Sequence, residues 1–173
     1  MRSLPSRFVL SLALVLPACG DSEEGAAGPT TEAERLFAAA ASPDANATSV
    51  EGIWESTSPR VQASLESTIR LELRADRVVA AARCIQTPGG STTLIGKEGP
   101  AKISATTLEF PEEVRVSEPV GDSICTVVVR AGTLPQCDLT KPVTGRTFCF
   151  ELAKGTLTIR EESAAAQYKK ITD

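Results

Sequence analysis

The chain has 173 residues and a formal net charge of −4, with 22 acidic residues against 18 lysines and arginines and no histidine. The acidic balance and the few aromatic residues provide neither a basic track nor stacking platforms, so we expect no nucleic-acid partner. The lack of histidine excludes Ser-His-Asp and Cys-His arrangements and an imidazole general base. We therefore expect a single-domain, non-enzymatic protein that uses no cofactor and binds no metal.

The first predicted element is an N-terminal signal peptide. Arg2 and Arg7 precede an apolar run that is too short to cross a bilayer as a helix, and a small residue lies just before Cys19. The sequence Leu-Pro-Ala-Cys at 16–19 resembles the lipobox of bacterial lipoproteins. This resemblance implies that residues 1–18 are removed and that Cys19 becomes the acylated first residue. The alternative is an ordinary secretory signal followed by a free thiol.

The lipobox resemblance also predicts where the protein is located. Processing would leave 16 basic residues against 22 acidic ones, a net charge of −6. Such a charge opposes adhesion to anionic lipids, so attachment would depend on acyl chains, palmitate among them, at Cys19. We expect a lipid-anchored protein of the bacterial cell envelope, at the outer membrane.

Residues 19–49 are predicted to form an acylated tether with one short helix. The segment 20–30 is rich in Gly, Glu and Ala and has little to bury, which favours a flexible linker. Thr31 and Glu34 then have the spacing of a capping box, which predicts a helix over 32–41. Because a helix of this length is marginal alone, it needs apolar side chains that dock on the domain. The candidates are Leu36, Phe37 and Ala40. The alternative is a frayed part of the tether.

Residues 50–173 have the alternating pattern of an all-β domain. Short runs rich in Val, Ile, Leu and Thr are separated by Gly, Pro and Asp. We predict strands at 51–57, 67–75, 77–86, 100–104, 106–116, 124–132, 145–152, 156–162 and 165–172. In the run 69–74 apolar and charged residues alternate, which predicts one dry and one wet face. We expect an antiparallel up-and-down meander of 8–9 strands closed into a barrel, with a two-sheet sandwich as the alternative.

The cysteines predict disulfides. If Cys19 carries lipid, an even set of four remains in an exported chain, and we expect two disulfides. Four cysteines permit three connectivities; we favour Cys84–Cys125 with Cys137–Cys149, although the sequence does not determine the pairing. A zinc site is excluded because the chain has neither a C-x-x-C pair nor a histidine.

Two segments are predicted to be long rim loops. The segment 86–100 contains Pro and Gly residues typical of turns but lacks the pattern of a phosphate-binding loop, and 134–144 contains Cys137. The adjacent carboxylates at 112–113 and 161–162 are expected to point to opposite faces of strands, so neither pair predicts a catalytic site.

The ends of the β region resemble lipocalin-like, or calycin, domains. Gly52-Ile53-Trp54 opens the first strand, and the hairpin at 150–159 with the basic strand at 168–171 is similar to the closing strands of bacterial lipocalin-like lipoproteins. The resemblance implies a barrel in which Trp54 closes one end under a basic side chain. The candidates for this side chain are Arg160, Lys169 and Lys170.

The expected function is to bind or carry a small apolar ligand at the envelope. The alternative is an interaction module, such as an inhibitor or an assembly factor, whose filled barrel presents its rim loops to another envelope protein. A third and weaker alternative is an enzyme that uses carboxylates alone. An apolar cavity of a few hundred Å³ would favour the ligand, whereas interdigitated side chains would favour the protein partner.

Overall fold

The computed structural model describes residues 31–38, 42–62, 64–138, 147–162 and 164–172. Within these ranges the chain forms one short helix and an otherwise antiparallel β structure. The elements are α1 (Thr31–Ala38), β1 (Ser42–Pro43), β2 (Gly52–Ser56), β3 (Arg60–Gln62), β4 (Leu65–Leu73), β5 (Arg77–Gln86), β6 (Thr92–Pro100), β7 (Lys102–Ile103), β8 (Thr107–Phe110), β9 (Val114–Val120), β10 (Ser123–Val129), β11 (Gly132–Pro135), β12 (Thr147–Ala153), β13 (Thr156–Glu162) and β14 (Ala164–Thr172). No helix in these ranges is long and apolar enough to cross a membrane.

A nine-stranded sheet forms the framework. Its main strand order is β12-β13-β14-β2-β4-β5-β6, while β1 pairs with β14 and β3 pairs with β4. The expected meander is present in β4-β5-β6 and in β12-β13-β14, where consecutive strands are antiparallel neighbours. The beginning and the end of the domain meet where β2 pairs with β14, in a register that opposes Ile53 to Ile171.

The prediction of a closed barrel was wrong. The other strands form a β9-β10 hairpin and a separate sheet of β7, β8 and β11, and no ladder among the described residues joins β6 to β12. The strand predicted at 106–116 is interrupted at 111–113, between β8 and β9. Pro111 has no amide hydrogen to continue a ladder. The chain turns there into the β9-β10 hairpin, which contacts β4, β5 and β6 instead of extending the meander.

The large sheet carries a hydrophobic cluster on each of its two faces. Its inner face packs on the smaller sheets and carries Trp54, Leu71, Ala82 and Phe150 in the main hydrophobic cluster. Its outer face packs on α1 and forms a second, smaller cluster. Because side chains alternate along a strand, neighbouring residues of β5, such as Ala80 and Ala81, contribute to opposite clusters.

The helix α1 covers the face of β4 that the alternating sequence predicts to be exposed to solvent. Leu36 is fully buried and Phe37 packs against the smaller cluster, so the expected docking of the helix is confirmed for these two residues; Ala40 lies outside the described residues. On β4, Arg70 and Glu72 are 4% and 1% exposed because α1 covers them. The charged face of this strand is therefore buried, not solvated.

Most strand predictions are confirmed, but the prediction of a long rim loop at 86–100 was wrong. The strands at 77–86 and 156–162 have the predicted bounds. Between 92 and 100 the chain forms β6, which pairs with β5 at nine positions. Gly99 of this strand has a packing role, since a Cβ there would overlap Val114 of β9.

Two disulfides connect the sheets, in the favoured pairing. Cys84–Cys125 joins β5 to β10, and Cys137–Cys149 joins the segment after β11 to β12. The first lies in the main cluster with both cysteines fully buried. In the second, Cys149 is buried and Cys137 is partly exposed.

Candidate binding cavity

An apolar cavity of about 450 Å³ lies on the inner face of the large sheet. One wall is formed by Ile69, Leu71 and Leu73 of β4, which alternate with the outward-facing Arg70 and Glu72. The opposite wall comes from the sheet of β7, β8 and β11, through Phe110 and Leu134. All these apolar lining residues are buried.

The mouth of the cavity is partly exposed and is lined by small residues. Ala164 and Ala165 at the start of β14 are exposed, as is the segment 131–133 at the start of β11. Phe148 of β12 also lines the cavity and is 47% exposed. A molecule in the cavity would therefore contact both buried and exposed apolar groups.

Few of the described residues that line the cavity are polar. Among them Arg130, in the turn between β10 and β11, is the one that carries a charge, and Tyr168 also lines the cavity. A hydrogen bond from Arg115 and, in addition, the charge of Arg130 hold the pKa of Glu113 below its usual value. Such a lining favours the burial of an apolar molecule, with selectivity set by shape and by a few polar atoms.

Of the three basic residues expected to pack over Trp54, the structure places one against the tryptophan and two elsewhere. Trp54 is fully buried and its Nε1–H donates to the Val50 carbonyl at 2.7 Å. Lys170 opposes Trp54 in the β2-β14 ladder, and its Nζ lies 5.6 Å from the Trp54 ring centroid. Lys169 is exposed, and Arg160 instead approaches Glu151 at 3.5 Å. Of the three candidates, Lys170 packs over the tryptophan.

Gly52 explains how Lys170 reaches Trp54. The glycine has a φ of +131°, and a Cβ built there would lie 2.5 Å from Lys170 Cε. Lys170 Nζ also donates to the Ser49 carbonyl at 3.1 Å. The Gly-x-Trp motif therefore provides space for the lysine as well as an unusual backbone conformation.

The remaining candidate residues form no catalytic arrangement that we can define. Glu112 and Glu113 are exposed, and Glu113 accepts a hydrogen bond from Arg115 at 2.7 Å. The side chains at 161–162 and the lipidation candidate Cys19 lie outside the described part of the chain. Within that part, no group of three His, Cys, Asp or Glu residues is placed to hold a metal ion.

Sequence reasoning did not identify the cavity residues. Their one local signal is the run Ala164-Ala165-Ala166, whose small side chains leave space on a strand that otherwise carries larger groups. The other lining residues come from seven further strands and the β10-β11 turn. Their convergence depends on sheet packing, which a local pattern does not encode.

Comparison with family models, curated proteins and solved structures finds no match to this chain. Function is therefore inferred from the cavity and its surroundings.

Proposed function

We propose that this protein is a cell-envelope lipoprotein that binds a small apolar ligand in the cavity on the inner face of its large sheet. The observation that carries the proposal is the cavity of about 450 Å³ with a buried apolar wall. Proteins fill their interiors closely, and a space of this size is within the range of small-molecule sites. A filled interior would instead have favoured the interaction module.

The cavity volume indicates the size of the ligand. An apolar cavity of about 150 Å³ stays dry and accepts benzene. On that scale the cavity here, at about 450 Å³, would hold about three benzene-sized groups. The partly exposed mouth provides a route for exchange with solvent or with a lipid surface. These features support a carrier of a compact apolar molecule, in keeping with the lipocalin-like resemblance of the strand ends.

Titration with N-phenyl-1-naphthylamine, an uncharged fluorescent probe, tests the cavity. Ala166 lines it, so Ala166→Phe should occupy space and weaken probe binding at least about tenfold, a change of about 1.4 kcal/mol. Ala153→Phe is the matched control, because Ala153 is exposed at the end of β12 and does not line the cavity. Equal affinities of the two variants, or no saturable binding by the unmodified protein, would contradict the proposal. Native mass spectrometry of protein from its own envelope would identify a retained ligand.

The lipid anchor is tested separately. Cys19→Ala should abolish the added acyl mass and move the protein from the membrane to the soluble fraction, because the acyl chains would provide most of the membrane affinity. If the variant stays in the membrane fraction and the unmodified protein has no acyl mass, the lipoprotein assignment is wrong. Probe binding in the cavity would be unaffected by that result.

A further inference from the structure

The Cys137–Cys149 disulfide lies beside the mouth of the cavity and is not part of its lining. Cys149 follows Phe148, which lines the mouth from β12. Cys137 follows shortly after β11, whose Leu134 lines the opposite wall. The bond therefore ties together two neighbouring stretches of chain whose strands both contribute to the lining of the cavity.

Apart from the disulfide, few hydrogen bonds between the described residues hold these two strands together. They are one isolated bridge, Gln136 to Phe150, and a hydrogen bond of 2.7 Å from the Cys137 amide to the Phe150 carbonyl. By contrast, β11 pairs with β8 at four positions and β12 pairs with β13 at seven. Loss of the covalent link would leave this edge with far fewer strand contacts than β11 makes with β8 or β12 makes with β13, among the described residues.

The two disulfides differ in their access to a reductant. Both sulfurs of Cys84–Cys125 belong to residues that are 0% exposed in the main core. Cys137 is partly exposed, although its partner Cys149 is buried. Thiol–disulfide exchange requires a thiolate to reach a sulfur atom, so Cys137–Cys149 is the bond that a reductant would attack first.

We propose that Cys137–Cys149 is a redox latch that controls exchange of the cavity ligand; this rests on the ligand-binding function proposed above. A thiolate of an external dithiol attacks one sulfur, the S–S bond breaks, and the other cysteine leaves as a thiolate. The second thiol of the reductant then releases the mixed disulfide, so that the protein gains two electrons and two protons and the dithiol becomes a disulfide. The two cysteines are then free thiols, β11 separates more readily from β12, and the ligand leaves faster.

The test measures probe dissociation and cysteine alkylation on the same samples. The full chain is used in a Cys19→Ala background, so that neither an acyl chain nor a fifth thiol interferes. With rising dithiothreitol, iodoacetamide should label Cys137 and Cys149 before Cys84 and Cys125. The dissociation rate of N-phenyl-1-naphthylamine should rise at least about tenfold over the same range, the effect of weakening closure by about 1.4 kcal/mol, and should return on reoxidation.

Cys137→Ser/Cys149→Ser is the matched variant. It should release the probe fast without reductant, and mild reduction should not change that rate. A circular dichroism spectrum like that of the parent would show that the fold is retained. An unchanged dissociation rate after confirmed reduction of Cys137–Cys149 would overturn the latch while the binding site stands. Labelling of Cys84 and Cys125 at equal dithiol concentration would also overturn it, whereas absence of probe binding in the oxidised protein would overturn the proposed function itself.

Discussion

Trp54, Lys170 and Gly52 form a local unit in which each residue depends on the other two. The tryptophan ring is fully buried, and the lysine ammonium lies over it while donating to the Ser49 carbonyl. A cation over a partly desolvated indole stabilises by about 0.5–2 kcal/mol. This contact is possible because Gly52 leaves the space that the lysine side chain occupies.

Gly52→Ala should destabilise the protein through both backbone strain and overlap. At a φ of +131° an alanine is strained, and its Cβ would lie 2.5 Å from Lys170 Cε. We expect the free energy of unfolding to fall by about 2–3 kcal/mol, measured by urea denaturation. Gly89→Ala is the control, because Gly89 has a φ of +135° but no atoms within 4 Å of the added Cβ. An equal loss in both variants would attribute the whole effect to the backbone and argue against the overlap.

The sequence was sufficient to suggest this unit but not to select the lysine. Gly52-Ile53-Trp54 indicated a basic partner, and three candidates from the closing strands remained open. Lys170 is selected by register, since it opposes Trp54 across the ladder and so lies on the same face of the sheet. That register joins strands more than a hundred residues apart, and it is therefore not visible in a local pattern.

At the scale of elements, α1 is held on the large sheet by charges as well as by apolar contacts. Glu72 of β4 is 1% exposed and accepts hydrogen bonds from Arg35 of α1 and from Arg74, the latter at 2.5 Å from Nη2. Arg70 donates to the Leu36 carbonyl and lies 4.8 Å from the ring centroid of Phe37. The helix thus covers charges that already have partners, which reduces the free-energy cost of burying them.

Glu72→Gln should reduce the acid sensitivity of the protein. Burial alone would raise the pKa of Glu72, but the hydrogen bonds from Arg74 and Arg35 outweigh it and lower the pKa below 4.5. Since the unfolded state binds the proton more tightly, this carboxylate stabilises the fold above about pH 4.5 and loses that contribution as the pH falls through the lower folded-state pKa. We expect the variant to lose about 1.5–3 kcal/mol near neutral pH and to show a shallower decline of unfolding free energy in acid.

The control for Glu72→Gln is Glu98→Gln. Glu98 belongs to an exposed ion pair with Arg77 at 3.3 Å, so its replacement should change the unfolding free energy near neutral pH by less than about 1 kcal/mol. Urea denaturation between about pH 7 and pH 3 gives the curves to be compared. If the curves of Glu72→Gln and the unmodified protein run parallel throughout, the ion pairs of Glu72 do not contribute to the pH dependence.

The strands show what alternation can and cannot predict. Val, Ile, Leu and Thr in short runs indicated most strands, including β5 and β13 with their observed bounds. The glycines of the segment that forms β6 are typical of turns and therefore predict a loop. Gly99 is instead required by the close approach of Val114, a contact from a strand that follows it in the chain. Tertiary packing therefore decided against the local turn preference.

At the scale of the whole molecule, the open arrangement of three sheets creates the cavity. A hairpin of β9 and β10 lies across the large sheet, and the sheet of β7, β8 and β11 meets β12 through one bridge and a disulfide. The sequence predicted the antiparallel class and the disulfide bonds but not this arrangement. The position of each small sheet depends on contacts between distant strands, so neither the open edge nor the cavity was predictable from periodicity.

The two disulfides should contribute differently to global stability. Cys84–Cys125 closes a sequence separation of 41 and Cys137–Cys149 one of 12. On the chain-entropy estimate, the longer loop corresponds to about 4 kcal/mol and the shorter one to about 3 kcal/mol. The buried pair also connects β5 to the β9-β10 hairpin inside the main core, so its loss removes packing in addition to the covalent constraint.

Cys84→Ala/Cys125→Ala should therefore lower the free energy of unfolding more than Cys137→Ser/Cys149→Ser does. Urea denaturation of both double variants and of the unmodified protein, all without reductant, measures the difference. We expect the free energy of unfolding to fall by about 4 kcal/mol or more in Cys84→Ala/Cys125→Ala and by about 3 kcal/mol or less in Cys137→Ser/Cys149→Ser. The second loss is smaller because β11 and β12 have few other contacts with each other to lose. The reverse order would mean that the mouth disulfide, rather than the one between β5 and β10, holds the sheets together.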